Sequence, residues 1–124
     1  MAGIKINQIK ELYLAKNIED LQKQMKIRFA APGQNYDILI RVSQEVWKTA
    51  KESENNGDQE KAYVCFFKYC DLAYRIRNSP QYKKDKLYYD SMVSSKSVKD
   101  ALDHLDSLTL VLKERYDEKR RNED

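Results

Sequence analysis

Proline occurs only twice and glycine only three times in the 124 residues. With so few helix breakers, and with straight-chain residues recurring, the composition favours helices over a sheet. No apolar run approaches the ~20 residues needed to cross a bilayer, and no signal-peptide pattern precedes the first expected helix. The chain therefore reads as cytoplasmic, with no direct membrane insertion. No charge of one sign dominates: 23 Lys and Arg stand against 20 Asp and Glu, a net charge of +3, and the two signs alternate. A nucleic-acid binder more often carries a basic stripe on one face, so nucleic acid is not an expected partner. Glycine-rich phosphate loops and an H-E-x-x-H pair are absent as well. Nothing calls for a cofactor.

Cysteine and histidine are as scarce, at two and one. Cys65 and Cys70 are crowded into the stretch CFFKYC, five apart in what reads as continuous helix. They point about 140° from one another, and their Cα atoms lie beyond the ~7 Å that a disulfide tolerates. A structural zinc site needs C-x2-4-C on a turn and two further ligands, which a single histidine does not complete. Both thiols read as small hydrophobes on a helix. His104, beside Asp103, falls off the expected apolar seam and reads as solvated. A Cys/His nucleophilic pair would need a pocket and an orienting group, and no pattern in the chain supplies either.

What is present is a series of helix signals within one domain, 1–124. An N-terminal arm, 1–30, holds the apolar series Ile6, Ile9, Leu12 and Tyr13. Asn17 then caps a helix with Asp20 at its third position and Ile18, Leu21 and Met25 on one face. The break AAPGQN precedes a helical bundle over 35–120. Its first helix runs from Tyr36 to about Ser53 and ends at ENNGD, with Gly57 placed for a left-handed cap. Asp58 caps the second, which runs to about Asn78. Pro80 opens a shorter helix to roughly Val93. Ser95 or Ser97 opens a last helix that runs into ERYDEKRRNED, a charged end that reads as an excised fragment of a longer protein.

Apolar phase states what these helices bury. The last helix shows a seam at Val98, Leu102, Leu105, Thr109, Leu112 and Tyr116. The helix 58–78 carries Ala62, Cys65, Phe66, Tyr69, Ala73 and Ile76 on one face, and Tyr63, Phe67, Cys70 and Tyr74 on a second. The helix 36–53 also has two stripes, Ile38/Val42/Val46/Thr49 and Tyr36/Ile40/Trp47. A plain three-helix bundle needs one stripe per helix, so the second stripes call for cover from the arm, from helix 80–93 or from another subunit. Opposite the seam of the last helix, Leu110 lies between Asp103 and Asp106. Such a face either is plain solvated surface or receives a basic amphipathic helix.

The segment GDQEKAYVCFFKYCDLAYRIRNSPQY resembles the second helix of an MIT-type (microtubule-interacting and trafficking) hairpin: an acidic turn, A-Y, tyrosines at helical spacing and a P-x-Y step. More narrowly, KELYLAKNIEDLQK, the helix bearing Trp47, Lys48, Thr49 and Ala50, E-x-A-Y-V, K-Y and L-K-x-R-Y occur in the order found in the N-terminal dimerisation module of endosomal ubiquitin-specific proteases. The resemblance spans Lys10 to Tyr116. A zinc-dependent endosomal deubiquitinase family is similar over the middle hairpin alone.

The resemblance implies an all-α, MIT-like helical bundle with an extra N-terminal helical segment and an additional short helix, forming a helix-exchanging homodimer. It implies a noncatalytic module of a thiol-dependent ubiquitin hydrolase whose catalytic boxes lie outside this segment. Such a module binds C-terminal helical motifs of ESCRT-III subunits at the cytoplasmic face of endosomes. On this reading Leu12, Tyr13, Tyr36, Ile40, Trp47, Tyr63, Phe67 and Tyr74 pack the arm or the dimer, and Asp103, Asp106 and Leu110 receive the partner helix. The alternative is a free-standing helical adaptor or inhibitor of endosomal trafficking with no enzyme attached.

Overall fold

The computed structural model describes residues 9–28 and 36–123, with the side chains of residues 26–28 and 36 left aside. It is all-α, with no strand among the described residues. The helices are α1 (Ile18–Arg28), α2 (Tyr36–Asn55), α3 (Gln59–Arg77), α4 (Pro80–Lys84), α5 (Lys86–Met92) and α6 (Ser95–Glu123).

Local chemistry sets most of the helix ends. The Asn17 side chain accepts from the Asp20 amide at 2.7 Å, and Asp20 accepts in turn from the Lys16 amide at 3.0 Å, so two free donors at the start of α1 are satisfied. At the end of α2 the Asp58 amide bonds the Ser53 carbonyl at 2.8 Å and the Gly57 amide bonds Glu54 at 3.1 Å. These are the paired bonds of a Schellman cap, which requires a left-handed residue; Gly57 supplies it at φ 78°. Asp58 then caps α3 by accepting from the Lys61 amide at 3.1 Å. The three-residue turn folds α2 and α3 into an antiparallel hairpin.

The expected helix from Pro80 to Val93 is broken at Asp85, and Arg77 explains the break. Its guanidinium donates to the Val93 carbonyl at 2.9 Å and to the Ser95 hydroxyl at 3.2 Å. Ser79, at the other end of the segment, donates to the Ile76 carbonyl at 2.6 Å. Both ends are thus held beside the C-terminus of α3, whereas 14 residues of straight helix would part them by about 21 Å. The chain has to turn back, and two short helices do so.

The core lies between α2, α3 and α6. α6 runs antiparallel to α3, since Tyr116 meets Glu60 at one end and Ser95 meets Arg77 at the other. The phase of α6 differs from the expected seam. Ala101, Leu108, Leu112 and Tyr116 are buried, whereas Leu102 is 49% exposed. The buried stripe is rotated by roughly 50° toward Ala101 and Leu108. That rotation also corrects the expectation for His104: its ring stacks on Phe66, with centroids 4.6 Å apart and planes 6° apart, and its Nδ1 lies 2.9 Å from Glu54 Oε2.

A similar correction applies to α2. Ser43 and Ala50 are its deepest positions, with Ile40 and Leu39 next, and the two stripes read from the sequence are the shoulders of one broad face around them. Small side chains at Ser43, Ala50, Ala62, Ala73 and Ala101 let the three helices approach closely. Trp47 ties α2 to α3, 5.8 Å from the Phe66 ring and 4.9 Å from the Tyr69 ring.

Candidate functional site

Among the described residues of the arm, helix begins at Ile18, and residues 9–17 are irregular. Their backbone groups go elsewhere than to a helix ladder, and the acceptor is Glu60. This residue sits in the first turn of α3, where the helix dipole favours a carboxylate, and it is 1% exposed. Its Oε1 accepts from the amides of Tyr13 at 2.6 Å and Leu14 at 3.0 Å, and its Oε2 from Ala15 at 3.2 Å. The Tyr116 hydroxyl donates to Oε2 at 2.6 Å. Four donors thus compensate the cost of burying the carboxylate.

Neighbours extend this anchor along the arm. The Tyr13 hydroxyl donates to Asp58 Oδ2 at 2.7 Å, and Lys10 Nζ lies 3.6 Å from the same oxygen. The Lys10 amide donates to the Gly57 carbonyl at 2.9 Å. Arg115 donates to the Lys10 carbonyl at 2.8 Å and to Gln59 Oε1 at 2.7 Å, so one guanidinium ties α6, α3 and the arm together. Gln24 closes the loop on the Leu14 carbonyl at 2.9 Å. Burial first, then the bond to Asp58, pushes the Tyr13 hydroxyl up to about 12. Burial and then Glu60 push the Tyr116 hydroxyl well above the usual tyrosine range.

α1 follows the arm and lies against α3 and α6. Ile18, Leu21 and Met25 are buried, and Gln22 donates to the Tyr63 hydroxyl at 3.0 Å. Tyr13 and Leu14 flank a groove of about 570 Å³ between α2 and α3, lined by Val42, Val46, Val64 and Cys65 with Glu45, Lys61 and Lys68 beside them.

The expected packing residues divide between interior and surface. Ile40 and Tyr63 are buried inside this chain, and Trp47, Phe67 and Leu12 are half-buried against its core. Tyr13 is exposed apart from its bonded hydroxyl and backbone, and Tyr74 is 69% exposed. The Tyr36 side chain lies outside the described residues, although its backbone opens α2. Asp103, Asp106 and Leu110 are brought together on the open face of α6, with Leu110 at 72% exposure. Sequence reasoning quoted Glu60 and Arg115 within E-x-A-Y-V and L-K-x-R-Y but gave them no role, and it did not single out Gln24. The available signal was an acid in the first turn of an apolar helix opposite an arm without helical phase.

The two thiols are free, and burial pushes Cys70 up to about 11. Among the described residues no group of three or more His, Cys, Asp or Glu is placed to hold a metal. An all-helical bundle with an arm pinned across its end defines a protein-interaction module, built from packing and hydrogen bonds. Over residues 7–119 the chain matches the family model described as the USP8 dimerisation domain, and it belongs to that family. It is accordingly a dimerisation module of a USP8-like protease, which fits a segment without activity of its own.

Proposed function

We propose that this module forms a homodimer in which arms are exchanged, and that the pair places a thiol-dependent ubiquitin protease on endosomes through ESCRT-III. The observation that carries the reading is the anchoring of residues 10–15. Apart from the Gln24 bond to Leu14, which travels with the arm into α1, the bonds that hold them come from Glu60, Asp58, Gly57 and Arg115 at one end of the bundle. Exchange between two copies keeps those bonds and adds the closure of a twofold interface. Tyr74, exposed on α3, with the uncovered part of the half-buried Phe67, gives the second copy further apolar area to bury.

The recruitment half of the reading rests on α6. Leu110, between acids, is exposed on a face that is open among the described residues, which suits a basic amphipathic helix from an ESCRT-III C-terminus. Replacing Asp103 and Asp106 together by lysine should abolish binding of such a basic peptide in titration calorimetry while helicity stays intact. Unchanged affinity would move recruitment to another surface.

A further inference from the structure

The end of the bundle opposite the arm carries a feature distinct from the arm anchor and from the acidic α6 face. α4 and α5 are fixed from beneath: Tyr89 and Val93 are buried, the Tyr82 hydroxyl donates to Asp90 at 2.9 Å, and Arg77 lies 3.6 Å from the same carboxylate. Lys83, Lys84 and Lys86 are all exposed, the last with its ammonium 5.9 Å over the Tyr82 ring. Leu87 follows them at 86% exposure, the highest of any large apolar side chain among the described residues. Tyr88 beside it is exposed too, its ring held edge-on against Tyr89 at 5.2 Å. Of the two acids within α4, α5 and the residue joining them, Asp90 is already matched by Arg77, which leaves Asp85 against three lysines.

We propose that this outer face of α4 and α5 docks on an anionic lipid surface. The chemistry matches the layers of a membrane interface. Lysine ammonium groups meet lipid phosphates and carboxylates, a tyrosine ring sits at headgroup level, and a projecting leucine enters the acyl boundary without a helix crossing it. No helix among the described residues is long and apolar enough to span a membrane, so the contact is peripheral. An acidic protein groove is the lesser fit, because a fully projecting leucine flanked by lysines offers no concave wall to hold a partner helix. The proposal stands whether or not the chain dimerises.

The test is co-sedimentation of the purified 124-residue chain with phosphatidylcholine vesicles containing about 30% phosphatidylserine, at low and at physiological salt. Binding should require phosphatidylserine and weaken as salt rises. The triple variant Lys83→Glu, Lys84→Glu, Lys86→Glu should lose about 100-fold or more, since each basic residue near the surface contributes several-fold. Leu87→Ser should lose about tenfold, as burial of one leucine side chain predicts. All four positions are exposed, so circular dichroism should be unchanged in both variants. Failure to sediment at low salt overturns the proposal, as does equal binding to pure phosphatidylcholine. Full binding by the triple variant, or competition by polyglutamate together with indifference to Leu87→Ser, overturns it as well.

Discussion

The two ends of the bundle are built on opposite plans. At the arm end a buried carboxylate gathers three backbone amides and a tyrosine hydroxyl, and Arg115 closes over the outside. At the α4–α5 end the polar bonds of Arg77, Ser79 and Tyr82 lie beneath, while lysines, a leucine and a tyrosine are exposed. The first plan makes a segment costly to misplace: any other strand of backbone laid there has to present the same donors. The second leaves the fold indifferent to what the outer side chains are. On the proposed reading, specificity for a copy of the same chain belongs at the first end, and tolerance for a fluid partner at the second.

That contrast breaks most visibly through Glu60. Glu60→Ala strands three amides and the Tyr116 hydroxyl in a buried site, and urea denaturation should register a loss of about 3–5 kcal/mol. Leu87→Ala, at the other end, should stay within about 0.5 kcal/mol of wild type in the same titration. Comparable losses at the two ends would remove the distinction.

Trp47→Ala comes next, at about 3 kcal/mol, near the low end for an aromatic truncation because the ring is only half-buried. Its effect should appear in thermal melting and leave the arm bonds in place. A smaller step, about 1–1.5 kcal/mol, is expected for Tyr116→Phe, which removes one of four donors to Glu60 and keeps the ring.

Alkaline pH offers the gentlest test. The Tyr13 hydroxyl is pushed from 10.0 up to about 12 in the folded chain. Between those values the unfolded chain has released a proton that the folded chain retains, so stability is full below pH 10 and falls as pH rises toward 12. Tyrosinate absorbance should therefore rise late for Tyr13, and Asp58→Asn should bring it earlier.

Much of the fold was legible in the chain because helix ends announce themselves chemically. Asn17, Gly57, Asp58 and Pro80 each stand where a cap or turn needs that residue type, and each is found there. Phase was less legible. The deepest contacts of α2 and α6 are made by Ser43, Ala50 and Ala101, which carry little hydrophobic signal, so larger neighbours such as Leu102 and Ile38 pulled the expected faces aside. On α2 the small residues between the stripes turn Ile40, Val46 and Trp47 toward neighbours in the same chain, while Ile38 stays exposed. The arm anchor was hidden for another reason: an acid in the first turn of a helix serves the dipole equally well in solvent. Only the backbone path of residues 10–15 shows that Glu60 has a second task.

Light scattering of the purified chain over a dilution series, wild type beside Glu60→Ala, tests the central claim most directly. Exchange of arms around Glu60 predicts a wild-type mass of about 29.4 kDa, twice the 14.7 kDa chain, that persists on dilution. It predicts a shift toward 14.7 kDa for the variant. A wild-type chain that stays at 14.7 kDa at every concentration, or a variant that dimerises as tightly as wild type, would contradict it.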